Sequence, residues 1–144
     1  MANIIPDAFK LELLSGTHNF ASGGNTFKIA LYVTTLGPPY TTASTVYSTT
    51  NEVSSSGTNY PTGGQKLDSQ AVAVPGSNTA VVDFANEVFS NVTLTSLGAA
   101  IYNYTNGSKL CLVLDFGGDK VATSGDFTIQ FPLPTAAAGI IRVA

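Results

Sequence analysis

Residues 97–117, LGAAIYNYTNGSKLCLVLDFG, set how the rest of the chain is read. Asn106-Gly107 stands between two apolar runs, the strongest short-range hairpin signal, because a type I′ turn needs positive φ at both central residues. With that pair at the tip, Tyr104 faces Lys109, Tyr102 faces Cys111, Ile101 faces Leu112, Ala99 faces Leu114 and Leu97 faces Phe116. Side chains alternate between faces along a strand. One face therefore carries Leu97, Ala99, Ile101, Leu110, Leu112, Leu114 and Phe116 and reads as a core wall. The other carries Ala100, Tyr102, Tyr104, Lys109, Cys111, Val113 and Asp115. That face is too apolar and aromatic for ordinary solvent exposure, so it is a candidate contact surface.

Working outward, the same period-two reading makes residues 26–33 a strand, with Phe27, Ile29, Leu31 and Val33 on one side and Lys28, Ala30 and Tyr32 on the other. Before it, Pro6 and Asp7 suit the first turn of a helix, Phe9 and Leu13 share a face, and Gly16 is a natural C-terminal cap. After it, residues 34–65 form a long polar arm rich in Thr, Ser, Gly and Asn, with Tyr40, Tyr47 and Tyr60 as markers. Ordered loops of that length are uncommon in compact domains. The arm is therefore expected to hold a short helix near residues 42–50, to pack across a neighbouring chain, or both. Strands follow over residues 66–74 (with Leu67, Val72 and Val74), 79–86 (Ala80, Val82 and Phe84 inward), 88–96, 126–132 and 139–143, with a turn region over 117–125. About eight short strands with frequent turn signals predict a mainly β chain, an antiparallel β-sandwich of jelly-roll or Ig-like type with one short N-terminal helix, in a single domain over residues 1–144.

Charged residues make up 10% of the chain, against roughly a quarter in a typical soluble domain. Hydroxyls and amides take their place, which suits a stiff protein that works in contact with something else. A net charge of −3 supplies no basic footprint for nucleic acid. No apolar run reaches the roughly 18 residues of a membrane helix, and the N-terminus lacks the pattern of a signal peptide. A membrane is not expected as a partner, and synthesis in a cytoplasm is.

The residues offer little chemistry. Cys111 is the one cysteine, so no internal disulfide forms. His18 is the one histidine; a zinc site would need Cys111 and distant carboxylates, and a Ser-His-Asp triad is equally unsupported. Asp115, Asp119 and Asp126 do not have calcium-loop spacing. Asp115-Phe116-Gly117 spells a kinase motif without any of its companions. The expectation is no catalytic residue, no metal, no cofactor and no enzyme.

The blocks over residues 6–20 (PDAFKLELLSGTHNF), 25–33 (NTFKIALYV), 47–53 (YSTTNEV), 57–67 (GTNYPTGGQKL), 81–103 (VVDFANEVFSNVTLTSLGAAIYN), 112–132 (LVLDFGGDKVATSGDFTIQFP) and 140–144 (IIRVA) resemble, in this order, a family of small tailed-phage virion proteins. The resemblance spans nearly the whole chain and carries no catalytic signature. It implies a virion structural protein made in the cytoplasm of a host bacterium. The role expected first is a capsid decoration or cement protein on the capsid surface, bound to the major capsid protein and to itself as a dimer or trimer. A tail-associated structural protein is the alternative, and a carbohydrate-binding module using exposed tyrosines the more distant one. The expected contact residues are Ile4, Ile5, Tyr40, Tyr47, Tyr60, Tyr102, Tyr104 and Val113.

Overall fold

A computed structural model describes residues 3–33 and 39–144. These residues form α1 (Asp7–Leu14), β1 (Phe27–Tyr32), β2 (Gln65–Lys66), β3 (Ala71–Gly76), β4 (Thr79–Asp83), β5 (Glu87–Asn103), β6 (Lys109–Ile129) and β7 (Ile141–Val143). The first part of the arm, residues 34–38, and the first two residues of the N-terminal lead lie outside the described residues. The chain is mainly β, with antiparallel sheets and one short helix, the class read from the sequence. One sheet has the order β2-β1-β5-β6 and the other β3-β4-β7. That order is not the A-B-E-D and C-F-G arrangement of a constant-type immunoglobulin domain.

Helix α1 starts after Pro6, whose extended backbone leads into the first turn. Its Asp7 N–H is capped by the arm, donating to the Thr42 carbonyl at 2.9 Å. It ends in a Schellman motif: Gly16 at φ +78° lets the Thr17 N–H reach the Glu12 carbonyl (2.9 Å) and the Gly16 N–H reach that of Leu13 (3.4 Å).

β5 and β6 make one long hairpin, with its tip built differently from expectation. The loop is residues 104–108, and Gly107 and Ser108 carry positive φ (+64° and +55°). Asn106 is drawn into the protein instead of sitting at a two-residue turn, its Nδ2 donating to the Thr17 carbonyl at 2.5 Å. The ladder opens with Asn103 opposite Lys109 and Tyr102 opposite Leu110, then shifts, so that Ile101 meets Leu112 and Ala99 meets Leu114 as read. Cys111 is the extra residue of that bulge. The Tyr104–Lys109 and Tyr102–Cys111 pairs do not form, and Leu110 and Cys111 exchange faces relative to strict alternation. A second shift, between Ser96–Lys120 and Gly98–Asp115, leaves Leu97 opposite residues 116–119 and dissolves the Leu97–Phe116 pair.

These irregularities let two strands run through segments expected to be separate. Residues 88–96 and 97–103 are one strand, and the expected turn at 117–125 lies inside β6, with Gly117 (φ +75°) and Ser124 (φ +45°) taking up the bends. The true two-residue type I′ turn is elsewhere, at Ser77-Asn78, both at φ +54°, joining β3 to β4.

The larger core draws on residues of both sheets. Ile29 and Leu31 of β1 and Phe89, Val92 and Leu94 of β5 meet Val82, Phe84 and Ile141 from the three-stranded side. A second, smaller core lies on the opposite face of the same sheet, where Ala30, Tyr32, Ala100, Tyr102, Leu110 and Val113 pack with Tyr40 of the arm, and with Ile4 and Tyr47 against them. β1 is thus buried on both faces from Ile29 to Tyr32, which explains the unbroken apolar run after Lys28. Among the described residues the arm holds no helix over 42–50.

Candidate interaction surface

The arm packs on its own sheet. Val33 N–H donates to the Asn51 carbonyl (2.8 Å), Val53 N–H to that of Leu31 (2.9 Å), and Leu110 N–H to that of Thr45 (2.9 Å). Glu52 then ties the arm together. Its carboxylate accepts the Tyr47 hydroxyl at 2.5 Å, the Tyr60 hydroxyl at 2.7 Å and the Gly63 N–H at 2.7 Å. Tyr60 Oη also accepts the Leu31 N–H (2.9 Å), and the Tyr102 hydroxyl donates to the Gly63 carbonyl (2.6 Å). Tyr32 donates to the Ser48 carbonyl (2.7 Å) and lies 2.6 Å from Tyr40 Oη, which accepts the Ser48 N–H (2.8 Å). Burial pushes the phenols of Tyr32, Tyr40, Tyr47, Tyr60 and Tyr102 upward, so all five are neutral donors and acceptors.

The expected contact residues therefore separate into three groups. Tyr40, Tyr60, Tyr102 and Val113 are buried inside this chain and present no surface. Tyr47 stacks on Tyr102 with centroids 4.4 Å apart, and Ile4 packs against the second core while pairing with Val113. Ile5 and Tyr104 remain exposed, Tyr104 with Lys28 Nζ 5.0 Å from its ring centroid. The tyrosine-bearing face of the hairpin is covered by the arm and the N-terminal lead, which alternation along a single hairpin could not reveal.

The fold brings Glu12, His18 and Cys111 together, a convergence the sequence spacing hides. His18 Nε2 is 2.8 Å from Glu12 Oε2, and its Nδ1 is 3.0 Å from Asn103 Nδ2 and 3.9 Å from Cys111 Sγ. Because Asn103 Nδ2 can only donate, Nδ1 is the acceptor and Nε2–H donates to Glu12. Lys109 Nζ pairs with the other Glu12 oxygen at 3.3 Å. Burial, with the Glu12 charge adding to it, pushes the Cys111 thiol up, so this is a protonated thiol closed off from solvent. The cluster joins α1, the 17–25 loop and the hairpin tip; among the described residues no group of three or more His, Cys, Asp or Glu could hold a metal ion.

What the surface offers instead is strand edge and apolar side chain. β3 is an edge strand exposed at every residue, with Val72 and Val74 at 52% and 68% exposure. Ala80, expected to point inward from the neighbouring strand, is also exposed. No charged residue occurs over residues 69–82; that uncharged run was the available signal. On the other sheet, β6 is one edge and the two-residue β2 the other. A cleft of about 610 Å³ opens beside β6, with Leu114, Phe116, Phe127, Ile129 and Phe131 among its lining and Val121, 66% exposed, at its rim.

No family model, no curated protein and no solved structure matches this chain.

Proposed function

We propose that the protein is a non-enzymatic structural subunit that acts by binding protein surfaces, and that its setting is the capsid of a tailed phage, where it decorates and cements the shell of the major capsid protein. The observation that carries this reading is β3, an uncharged strand exposed along its whole length, with an open edge and two exposed valines. Natural proteins blunt such edges with lysines or cover them. One left bare is suited to adding itself to a neighbouring sheet, with backbone hydrogen bonds for affinity and alternate side chains for specificity. The body behind it suits a load-bearing part, since one sheet is packed on both faces and the arm is fastened by Glu52 and the tyrosines. The phage setting rests on the order of sequence blocks and on the low charge. On a symmetric shell many weak contacts add through avidity.

The test is to incubate the purified protein with phage shells lacking it and, separately, with tails. Expected are cosedimentation with shells, loss of binding in Val72→Lys/Val74→Lys, and greater heat resistance of the shells when bound. Cosedimentation with tails alone selects the tail-associated alternative. Binding to neither, or shells whose heat resistance is unchanged, refutes the cementing role.

A further inference from the structure

Asn106-Gly107 is the chain's one Asn-Gly pair, and it does not make the tight turn it predicts. Its side-chain amide is a latch instead. Asn106 Nδ2 donates to the Thr17 carbonyl at 2.5 Å and to Asn25 Oδ1 at 3.4 Å, and the Asn106 N–H donates to Asn103 Oδ1 at 3.2 Å. Asn103 Nδ2 in turn donates to Asn25 Oδ1 (3.1 Å) and to His18 Nδ1 (3.0 Å), and Asn25 Oδ1 also accepts the Asn19 N–H (2.8 Å). These bonds fasten the hairpin tip to the 17–25 loop, beside the Glu12–His18–Cys111 cluster. Both partners of Asn106 Nδ2 are acceptors only, so the latch works only while residue 106 carries a side-chain donor.

We infer that Asn106 is a site of spontaneous covalent modification, and that its conversion releases the hairpin tip. The only co-reactant is water. The Gly107 backbone nitrogen attacks Asn106 Cγ, a new C–N bond closes a cyclic imide, and the side-chain nitrogen leaves as ammonia with the proton that the Gly107 nitrogen gives up. Water then opens the imide at either carbonyl, leaving an aspartate or an isoaspartate. Glycine permits the attack because it has no Cβ to crowd its nitrogen. The surroundings permit it too, since Gly107 is exposed and a Cβ built on it meets no heavy atom within 4 Å. Opening the tip breaks three hydrogen bonds of Asn106 in a loop whose Ser108 already holds positive φ (+55°). Exposed loops open locally more readily than the core, and the chemistry is irreversible, so a molecule that reacts while open stays open. The product cannot close the latch. A carboxylate offers no donor to the Thr17 carbonyl or to Asn25 Oδ1, and it sets negative charge against both oxygens. Lys109, the cation at the tip, is already paired with Glu12 at 3.3 Å. The isoaspartate form also adds a methylene to the backbone of the loop between Asn103 and Lys109. The pair is thus a one-way timer on the closed cluster, and the inference does not rest on the capsid reading.

Timed incubation at mildly alkaline pH tests it, on the native chain and on the same chain unfolded in guanidinium chloride, with mass mapping of every asparagine. Conversion at Asn106 is expected to be slower in the native chain by about ten- to a thousandfold, the effect of three hydrogen bonds that must first break. Converted molecules carry an added negative charge and separate on anion exchange. Their Cys111 should react with a thiol reagent at least about tenfold faster than that of unconverted molecules. Asn106→Asp should show the faster thiol reaction from the start; if that variant does not fold, the converted wild-type fraction gives the same reading. A native rate outside the stated range overturns the inference. So does conversion confined to other asparagines, or a converted fraction whose Cys111 is as protected as before.

Discussion

Replacing Glu52 by Ala removes the acceptor of three hydrogen bonds, from Tyr47, Tyr60 and the Gly63 N–H. Hydrogen bonds to a charged group contribute about 1.5–3 kcal/mol each. Tyr47 is only half-buried, and water will replace part of what it loses. Taking the low end for the two better-buried donors and little for Tyr47 gives a loss of about 3 kcal/mol for Glu52→Ala. Glu52→Gln keeps the shape and one acceptor oxygen, so its loss should be about 1 kcal/mol. With a urea slope of about 2 kcal/mol/M, the alanine variant's midpoint should fall by about 1.5 M and the glutamine variant's by about 0.5 M. A double-mutant cycle with Tyr60→Phe isolates one contact and should return a coupling of about 1 kcal/mol or more. Equilibrium unfolding followed by tyrosine fluorescence and far-ultraviolet dichroism reads wild type, the three single variants and the double variant. A midpoint shift below about 0.3 M for Glu52→Ala, or a coupling indistinguishable from zero, would show that the carboxylate does not fasten the arm.

Gly64→Ala should be among the most damaging single changes: Gly64 sits at φ +74°, and an added Cβ would fall 1.7 Å from the Ile29 carbonyl oxygen, where β2 meets β1. A loss above about 4 kcal/mol or failure to fold is expected, and soluble yield with thermal melting checks it. Cys111 should not react with a thiol reagent in the native protein and should react fully in denaturant, because the thiol is buried and its ionisation is disfavoured; fast native labelling would contradict the closed cluster. The phenols of Tyr32, Tyr40, Tyr47, Tyr60 and Tyr102 are raised above their unfolded values, so their contribution to stability is whole below about pH 10 and is lost as pH rises past the unfolded tyrosine pKa. Tyrosinate absorbance for these residues should therefore appear together with alkaline unfolding, and reversible titration in a folded protein would refute their burial.

The helix, its glycine cap and the facing of β1 were legible because each depends on a local rule: a proline start, a left-handed cap, an alternating strand. The middle of the hairpin was legible for the same reason, with Ile101 and Ala99 meeting their expected partners. Its tip was not, because the bulge at Cys111 and the hydrogen bonds from Asn103 and Asn106 to the 17–25 loop decide it, and those partners are distant in sequence. Alternation also ranks a residue as inward without saying whether anything lies there. Ala80 was read as inward, yet it is exposed, and Tyr102 was read as a contact surface, yet the arm covers it. The candidate surface was missed for that reason, although the absence of charge over residues 69–82 marked it.

A strand packed on both faces has an assembly problem that a one-sided strand avoids. In most sheets a slip of one residue exposes the apolar row and buries the polar one, so solvent itself rejects the error. If β1 slipped by one against β5, oily side chains would still point both ways, and only the sizes would be wrong, with Ala30 and Tyr32 exchanged for Ile29 and Leu31. Discrimination then falls to the few polar bonds that exist in one alignment alone: Tyr60 Oη on the Leu31 N–H, Ser96 Oγ on the Tyr32 carbonyl at 2.9 Å, and the Asn51 carbonyl on the Val33 N–H. These bonds proofread the threading of the central strand as well as holding the arm in place. Two of the three come from the arm, so the segment that covers the sheet is also the one that checks whether the strand beneath it was paired correctly.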